Sequence, residues 1–396
     1  MTVSDRAAAI WIGVIAAAIY VGAGIGLATD YDYFGRLAEA FLHGRWWLTE
    51  APPWLNELLP CGDGRYCVVY PPLPAILSLP LVPFLPTAVA QVVASRIAGG
   101  ASAGVLYYGL RAYGAPRTYA LAGALLSAFG TTLLFSSVDG RAWFAGHSAS
   151  MLFLAGAFAV AARGGNAIAV GALVGLAALA RLPVALAAPA LALLVARRGG
   201  ATYGRSLAGV VAGGAPFAIV YVGYNLLRWG TPLDDGYARL TEGDVFFNHG
   251  LFSPLYLLRH LKAIFLEPPD LVPGTPFFLR PHFIGMSLFL TTPAFLWIFL
   301  ALREVRRDVV ITATAAAGLL ALVPDLLHGT VGFQQFGYRF SIDAQPFLVG
   351  LALAGDGLFR GSWRRRPTII FVIAIVLSLA VNIYATIAIT RFGYWQ

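Results

Sequence analysis

Residues 7–28 form an apolar run without a single charged side chain. At 1.5 Å rise per residue, a helix of that length crosses the ~30 Å hydrocarbon core of a bilayer. Similar runs recur to the end of the chain. In lipid, every backbone N–H and C=O must be satisfied within the fold, which makes helices the structure for such segments. Composition agrees: the chain is 59% hydrophobic and 12% charged, with mean hydropathy +0.74, whereas a soluble domain is about a quarter charged. The first run is too long for a secretory h-region and further spans follow it, so it reads as an uncleaved signal-anchor.

About eleven spans are expected on length, over residues 7–28, 88–112, 118–137, 145–162, 166–180, 183–196, 206–227, 283–302, 308–327, 342–359 and 367–389. The fifth and sixth are too short to cross alone. The stretch 70–86, "YPPLPAILSLPLVPFLP", is apolar but holds six prolines. Each interior proline removes a helix hydrogen bond and clashes with the preceding turn. That stretch reads as a broken segment dipping into the outer leaflet against protein. No internal repeat or low-complexity linker divides the chain. The expected fold class is an all-α polytopic membrane protein, one domain over residues 1–396. Two long extracytoplasmic loops, 29–87 and 228–282, carry short amphipathic helices.

Orientation follows from the arginines. With the N-terminus in the cytoplasm, the short inner loops hold Arg6, Arg111, Arg117, Arg163, Arg197, Arg198, Arg205, Arg303, Arg306, Arg307, Arg360, Arg364, Arg365 and Arg366. The outer face receives Asp30, Asp32, Glu39, Glu50, Glu57, Asp63, Asp139, Asp234, Asp235, Glu242, Asp244, Glu267 and Asp270, against Asp5, Glu304, Asp308 and Asp356 in the inner loops. This segregation points to chemistry on the outer face. The net charge of +8 is dispersed rather than gathered into a patch, which speaks against nucleic acid. Cys61 and Cys67, the two cysteines of the chain, share the outer "CGDGRYC" turn. An oxidising compartment favours a disulfide there over two unpaired small residues. Trp46, Trp47, Trp54, Phe246, Phe247, Phe252, Tyr256, Phe277 and Phe278 crowd the outer loops, as interfacial anchors or sugar-stacking surfaces.

One apolar span, a large outer loop opening with acids, a "YPPLP" element and alternating short inner and long outer loops together resemble the GT-C superfamily of integral-membrane glycosyltransferases. The resemblance is to the protein O-mannosyltransferase and lipid A aminoarabinose transferase branch, without its C-terminal soluble domain. In "DYDYFGRLA", Asp30 takes the place of the branch's loop-opening Asp, Phe34 its aromatic and Ala38 its small residue. Tyr31 stands where Glu is common, and Asp32 offers a second acid instead. Pro71 and Pro72 match the proline pair, and Tyr70 stands where the aminoarabinose enzymes carry lysine. "FGYRFSIDAQPFL", residues 336–348, resembles a segment near the C-terminal end of many bacterial members. The resemblance implies a polyprenyl-phosphate-linked sugar donor, a lipid, glycan or protein acceptor, and a bacterial cytoplasmic membrane with the active site facing outward.

Inverting transfer needs a carboxylate base for the acceptor hydroxyl and cationic stabilisation of the departing lipid phosphate. Asp30 is the expected base, with helix capping as the competing role; for Asp32 capping takes precedence. "DYD" also offers two hard oxygen ligands for Mg²⁺ or Mn²⁺, although the chemistry requires no cofactor. Donor-phosphate binding falls to Arg339, Arg181, Arg259, Lys262, Arg280 and His282. Arg259 and Lys262 also fit a snorkelling interfacial helix in contact with membrane lipids. Asp139, His147 and Tyr70 are expected to orient the acceptor, though a lone histidine such as His147 is more often a hydrogen-bonded structural residue. A transporter or flippase for a lipid-linked sugar is the main rival. It places polar groups on discontinuous helices, as the short spans around Arg181 would. A non-catalytic membrane scaffold is the second rival.

Overall fold

The computed structural model describes residues 3–273, 279–359 and 361–393. Phe277, Phe278 and Arg360 lie outside the described residues. The chain is mostly helical. Its α-helices are α1 (Val3–Ala23), α2 (Tyr33–Leu42), α3 (Leu73–Ser78), α4 (Thr87–Tyr113), α5 (Arg117–Phe129), α6 (Leu133–Asp139), α7 (Ala142–Ala162), α8 (Ala167–Ala178), α9 (Ala188–Gly199), α10 (Tyr203–Trp229), α11 (Asp235–Leu240), α12 (Leu257–Phe265), α13 (Leu288–Thr291), α14 (Ile298–Ala301), α15 (Val309–Leu326), α16 (Gln345–Gly357) and α17 (Ile369–Phe392). Sheet is confined to two-stranded antiparallel ribbons. The largest pairs β1 (Leu58–Gly62) with β2 (Arg65–Val68), and a Cys61–Cys67 disulfide closes it.

Among the described residues, seven helices are long and apolar enough to cross a membrane, and α5 with α6, bent by 46°, makes an eighth if the pair is one span. The chain is therefore an integral-membrane protein. The expected short span 166–180 is α8, whereas 183–196, expected to be too short to cross alone, belongs to Leu182–Gly199, one of the seven; the expected spans 283–302 and 342–359 are broken or shortened. Pro183 lies five residues beyond the end of α8, Pro293 interrupts 283–302, and a 3₁₀ turn at Arg339–Ala344 shortens 342–359. Proline's missing N–H explains the first two. The proline-rich stretch forms only α3 and tight turns, and packs on α2, α4 and α7.

Small residues set the closest helix contacts, as expected where lipid gives helices little hydrophobic reason to associate. A Cβ on Gly104 of α4 would lie 2.1 Å from the Ala9 carbonyl oxygen of α1. Gly171 of α8 and Gly213 of α10 are reciprocal, with an added Cβ 1.9 Å from the Val210 oxygen and 2.0 Å from the Ile168 oxygen.

The two ends of the bundle differ in charge. At one end Asp5 pairs with Arg111 and Arg117, both at 3.2 Å. Arg198 donates to the Tyr113 carbonyl, and Thr118 to that of Arg365. At the other end lie the two long loops. There α2 buries Tyr33, Phe34, Leu37 and Ala38 against Val68, Ala75, Ala142, Ala145 and Tyr224. This packing draws loop 29–87 over the ends of α7 and α10.

Candidate functional site

A cavity of about 510 Å³ opens at the end opposite the arginine cluster. Val69, Tyr70 and Pro71 form one wall, with Trp143 and Gly146 of α7 beside them. Asp234, Tyr237, Leu251 and Phe252 of the second loop form another. Arg181, Asp325, His328, Arg339 and Phe340 supply polar and aromatic groups deeper in the fold. Leu182, Leu186 and Phe252 are exposed apolar residues of its lining.

Arg181 reaches the cavity because the chain breaks there. α8 ends at Ala178, Pro183 prevents its continuation, and Arg181 takes an extended backbone. Its guanidinium lies 2.9 Å from Asp325 Oδ1 and 2.8 Å from Asp343 Oδ2. Asp343 Oδ1 in turn lies 2.8 Å from His147 Nδ1, with both side chains fully buried. The carboxylate accepts, which places the imidazole proton on Nδ1. Buried charges require such pairing. Arg181 is thus committed to two carboxylates, while Asp325 Oδ2 is buried without a hydrogen-bond partner among the described residues.

Arg339 is different. It donates to the Phe333 carbonyl at 3.1 Å and lies 3.5 Å from Gln335 Oε1. Its guanidinium sits over Phe340 at 5.2 Å and Phe144 at 5.5 Å. No carboxylate pairs with it among the described residues, and its Nε has no hydrogen-bond partner. The guanidinium is a cation at neutral pH. A buried guanidinium without a carboxylate hydrogen-bond partner is the kind of group that binds phosphate or carboxylate.

Behind the wall, Glu57 accepts from the Tyr70 hydroxyl and from Trp143 Nε1 at 2.8 Å. Burial raises its pKa above the usual carboxylate range. Burial and the Glu57 charge push the Tyr237 hydroxyl up to about 12, and burial holds His328 down at about 4. Arg228, at the end of α10, donates to the Val68 carbonyl at 2.5 Å and the Tyr70 carbonyl at 3.3 Å. It also donates to Asn225 Oδ1, and Asn225 donates to the Pro232 carbonyl. The last turns of α10 therefore tie both loops into one cavity mouth.

Of the residues expected from sequence, Tyr70, Arg181 and Arg339 line this cavity, and His147 stands behind it through Asp343. The structure does not bring the others there. Asp30 is exposed and makes no hydrogen bond or ion pair among the described residues. Asp32 is buried at the N-cap of α2 but does not cap it. Its Oδ1 lies 2.7 Å from Arg36 and its Oδ2 accepts from Thr87 at 2.6 Å. Each Asp32 oxygen thus carries one contact, while Asp30 takes part in neither. Asp139 pairs with Arg141 at 3.0 Å. Arg259 donates to the Gly329 carbonyl and sits over Tyr256. Lys262 and His282 each lie 3.8 Å from Glu267, and Arg280 lies 3.7 Å from Asp270. Comparison of the sequence with models of known protein families and with curated proteins returns no match.

Proposed function

We propose that the protein is an inverting glycosyltransferase that moves a sugar from a polyprenyl-phosphate donor to a lipid, glycan or protein acceptor at this cavity. The observation that carries the reading is one cavity holding both an arginine without a carboxylate partner, Arg339, and a carboxylate with a free oxygen, Asp325. Its exposed apolar lining at Leu182, Leu186 and Phe252 suits a prenyl chain.

In this reading Arg339 binds the donor phosphate. Arg181 holds Asp325 Oδ1, which leaves Oδ2 to take the proton of the acceptor hydroxyl. The acceptor oxygen bonds to the anomeric carbon as the bond from that carbon to the phosphate oxygen breaks. The electron pair leaves on the phosphate, where Arg339 stabilises it. Asp325 replaces Asp30 as the proposed base, because Asp30 lies away from the cavity. The segments 167–178, 288–304 and 339–357 complete about eleven crossings as short or broken spans. The arginine-rich end faces the cytoplasm, and the cavity faces outward from a bacterial cytoplasmic membrane.

A transporter for the same lipid is the second reading, favoured by the helix break at Arg181 beside buried carboxylates. Mass spectrometry of lipids copurifying with the protein tests what both readings share. A polyprenyl-phosphate sugar in wild type, absent from Arg339→Ala, is expected. Copurification of ordinary phospholipids alone contradicts both.

A further inference from the structure

The transfer chemistry uses Arg339, Arg181 and Asp325, yet a second acid lines the cavity. Asp234 stands at the N-cap of α11, where an aspartate ordinarily accepts from the first free backbone N–H groups. It makes no such bond. Its Oδ2 instead accepts from the Tyr221 hydroxyl at 2.6 Å, and its Oδ1 is buried without a partner among the described residues.

The carboxylate is firmly presented. Asn225 holds the Pro232 carbonyl two residues before it. Gly236, two residues after it, lies under the Trp229 ring so closely that an added Cβ would approach within 2.2 Å. A buried acceptor left unpaired is costly, and here the sequence also forgoes a helix cap. Both costs are offset if a ligand donates to Oδ1. Such a ligand carries hydrogen-bond donors and no negative charge at that point.

On the polyprenyl-phosphate reading, the phosphate is engaged by Arg339, so the donating group belongs to the transferred sugar. We infer that Asp234 is a specificity-determining residue, accepting a hydrogen bond from a hydroxyl of an uncharged sugar, with Tyr221 as its positioning residue. A uronic acid is rejected there, because two carboxylates in a desolvated site repel.

Affinities in nanodiscs test this with four probes: undecaprenyl phosphate, its glucosyl and arabinofuranosyl esters, and its glucuronyl ester. Wild type is expected to bind one neutral sugar ester about tenfold tighter than the bare phosphate, and the glucuronyl ester no tighter than the bare phosphate. Asp234→Asn keeps the size of the side chain but exchanges a charge-assisted bond for a neutral one. It should lose about tenfold on the sugar ester, keep its affinity for the bare phosphate, and tolerate the glucuronyl ester better. Tyr221→Phe should lose about threefold on the sugar ester alone. An undiminished preference for the sugar ester in Asp234→Asn overturns the inference and leaves the polyprenyl-phosphate reading standing, as does an equal loss on all probes. Failure of wild type to bind even the bare phosphate overturns both.

Discussion

Arg339 and Arg181 line one cavity, yet their loss should be felt in different measurements. Arg339 gives the fold one ordinary hydrogen bond, to Phe333, and a contact with Gln335 at the 3.5 Å limit. Its two ring contacts add roughly 0.5–1 kcal/mol each. Arg339→Ala should therefore cost about 2 kcal/mol of stability, less whatever is regained by no longer burying an unpaired charge. A charge-assisted contact to phosphate is worth ~1.5–3 kcal/mol, so affinity for undecaprenyl phosphate should fall roughly 10- to 150-fold. Arg339→Lys keeps the charge but not the forked donor, and should recover part of that loss. Arg181→Ala leaves Asp325 and Asp343 unpaired in the interior. Breaking a buried pair typically costs ~3–5 kcal/mol, so this variant should show its effect in thermal unfolding first. Titration of nanodisc-embedded protein with undecaprenyl phosphate, beside unfolding in the same preparation, separates the two. A folded Arg339→Ala variant that binds within threefold of wild type refutes the assignment of Arg339 to the phosphate.

Asp30→Asn should leave sugar transfer within about twofold of wild type, since the side chain is exposed and away from the cavity and surface substitutions of this kind cost little; a hundredfold loss would move the chemistry to the end of the first span. Gly213→Leu should destabilise the α8–α10 contact by about 1–3 kcal/mol or more, because even a Cβ would meet the Ile168 oxygen at 2.0 Å; an unchanged unfolding midpoint would contradict that packing. Burial holds His260 and His328 at about 4, below the ordinary value of 6.5. Above pH 6.5 they are neutral whether the chain is folded or not. As pH falls from 6.5 toward 4, the unfolded chain takes up their protons first, so stability should decline across that window. His260→Gln should flatten the decline, and a wild-type midpoint that rises over the same range would refute the assignment.

Much of the architecture was legible because membrane spans announce themselves by length and apolar content, as α1, α4, α7, α10, α15 and α17 do. The break at Arg181 was legible from Pro183 between two short spans, but the apolar run around Pro293 reads as one continuous span until the helix break is placed. The site was half legible. Arg339 stands out by its place just before an expected span, and Arg181 as a charge amid apolar sequence. Asp325 in "LVPDLLHG" and Asp343 in "FSIDAQ" carry the same signal, but both lie within expected spans, and sorting acids by loop assigns neither of them a side. Asp30 does not line the cavity. Its position after the first span matched a family pattern, but which acid turns inward depends on packing, and here Asp32 is the one taken inside by Arg36 and Thr87. The partners that make Glu57, Asp234 and Arg228 part of the site lie on other elements, and no local pattern marks them.

The central claim is best tested by following a labelled sugar. Nanodisc-embedded protein is given undecaprenyl-phosphate esters of radiolabelled sugars with a membrane extract as acceptor source, and both products are measured. Release of undecaprenyl phosphate is expected, with label appearing on an acceptor. Asp325→Asn should slow this ~10²- to 10⁴-fold while still binding the donor. In proteoliposomes, label that crosses the bilayer still attached to its intact prenyl carrier, with no undecaprenyl phosphate released, would contradict glycosyl transfer and make the protein a carrier of the lipid-linked sugar.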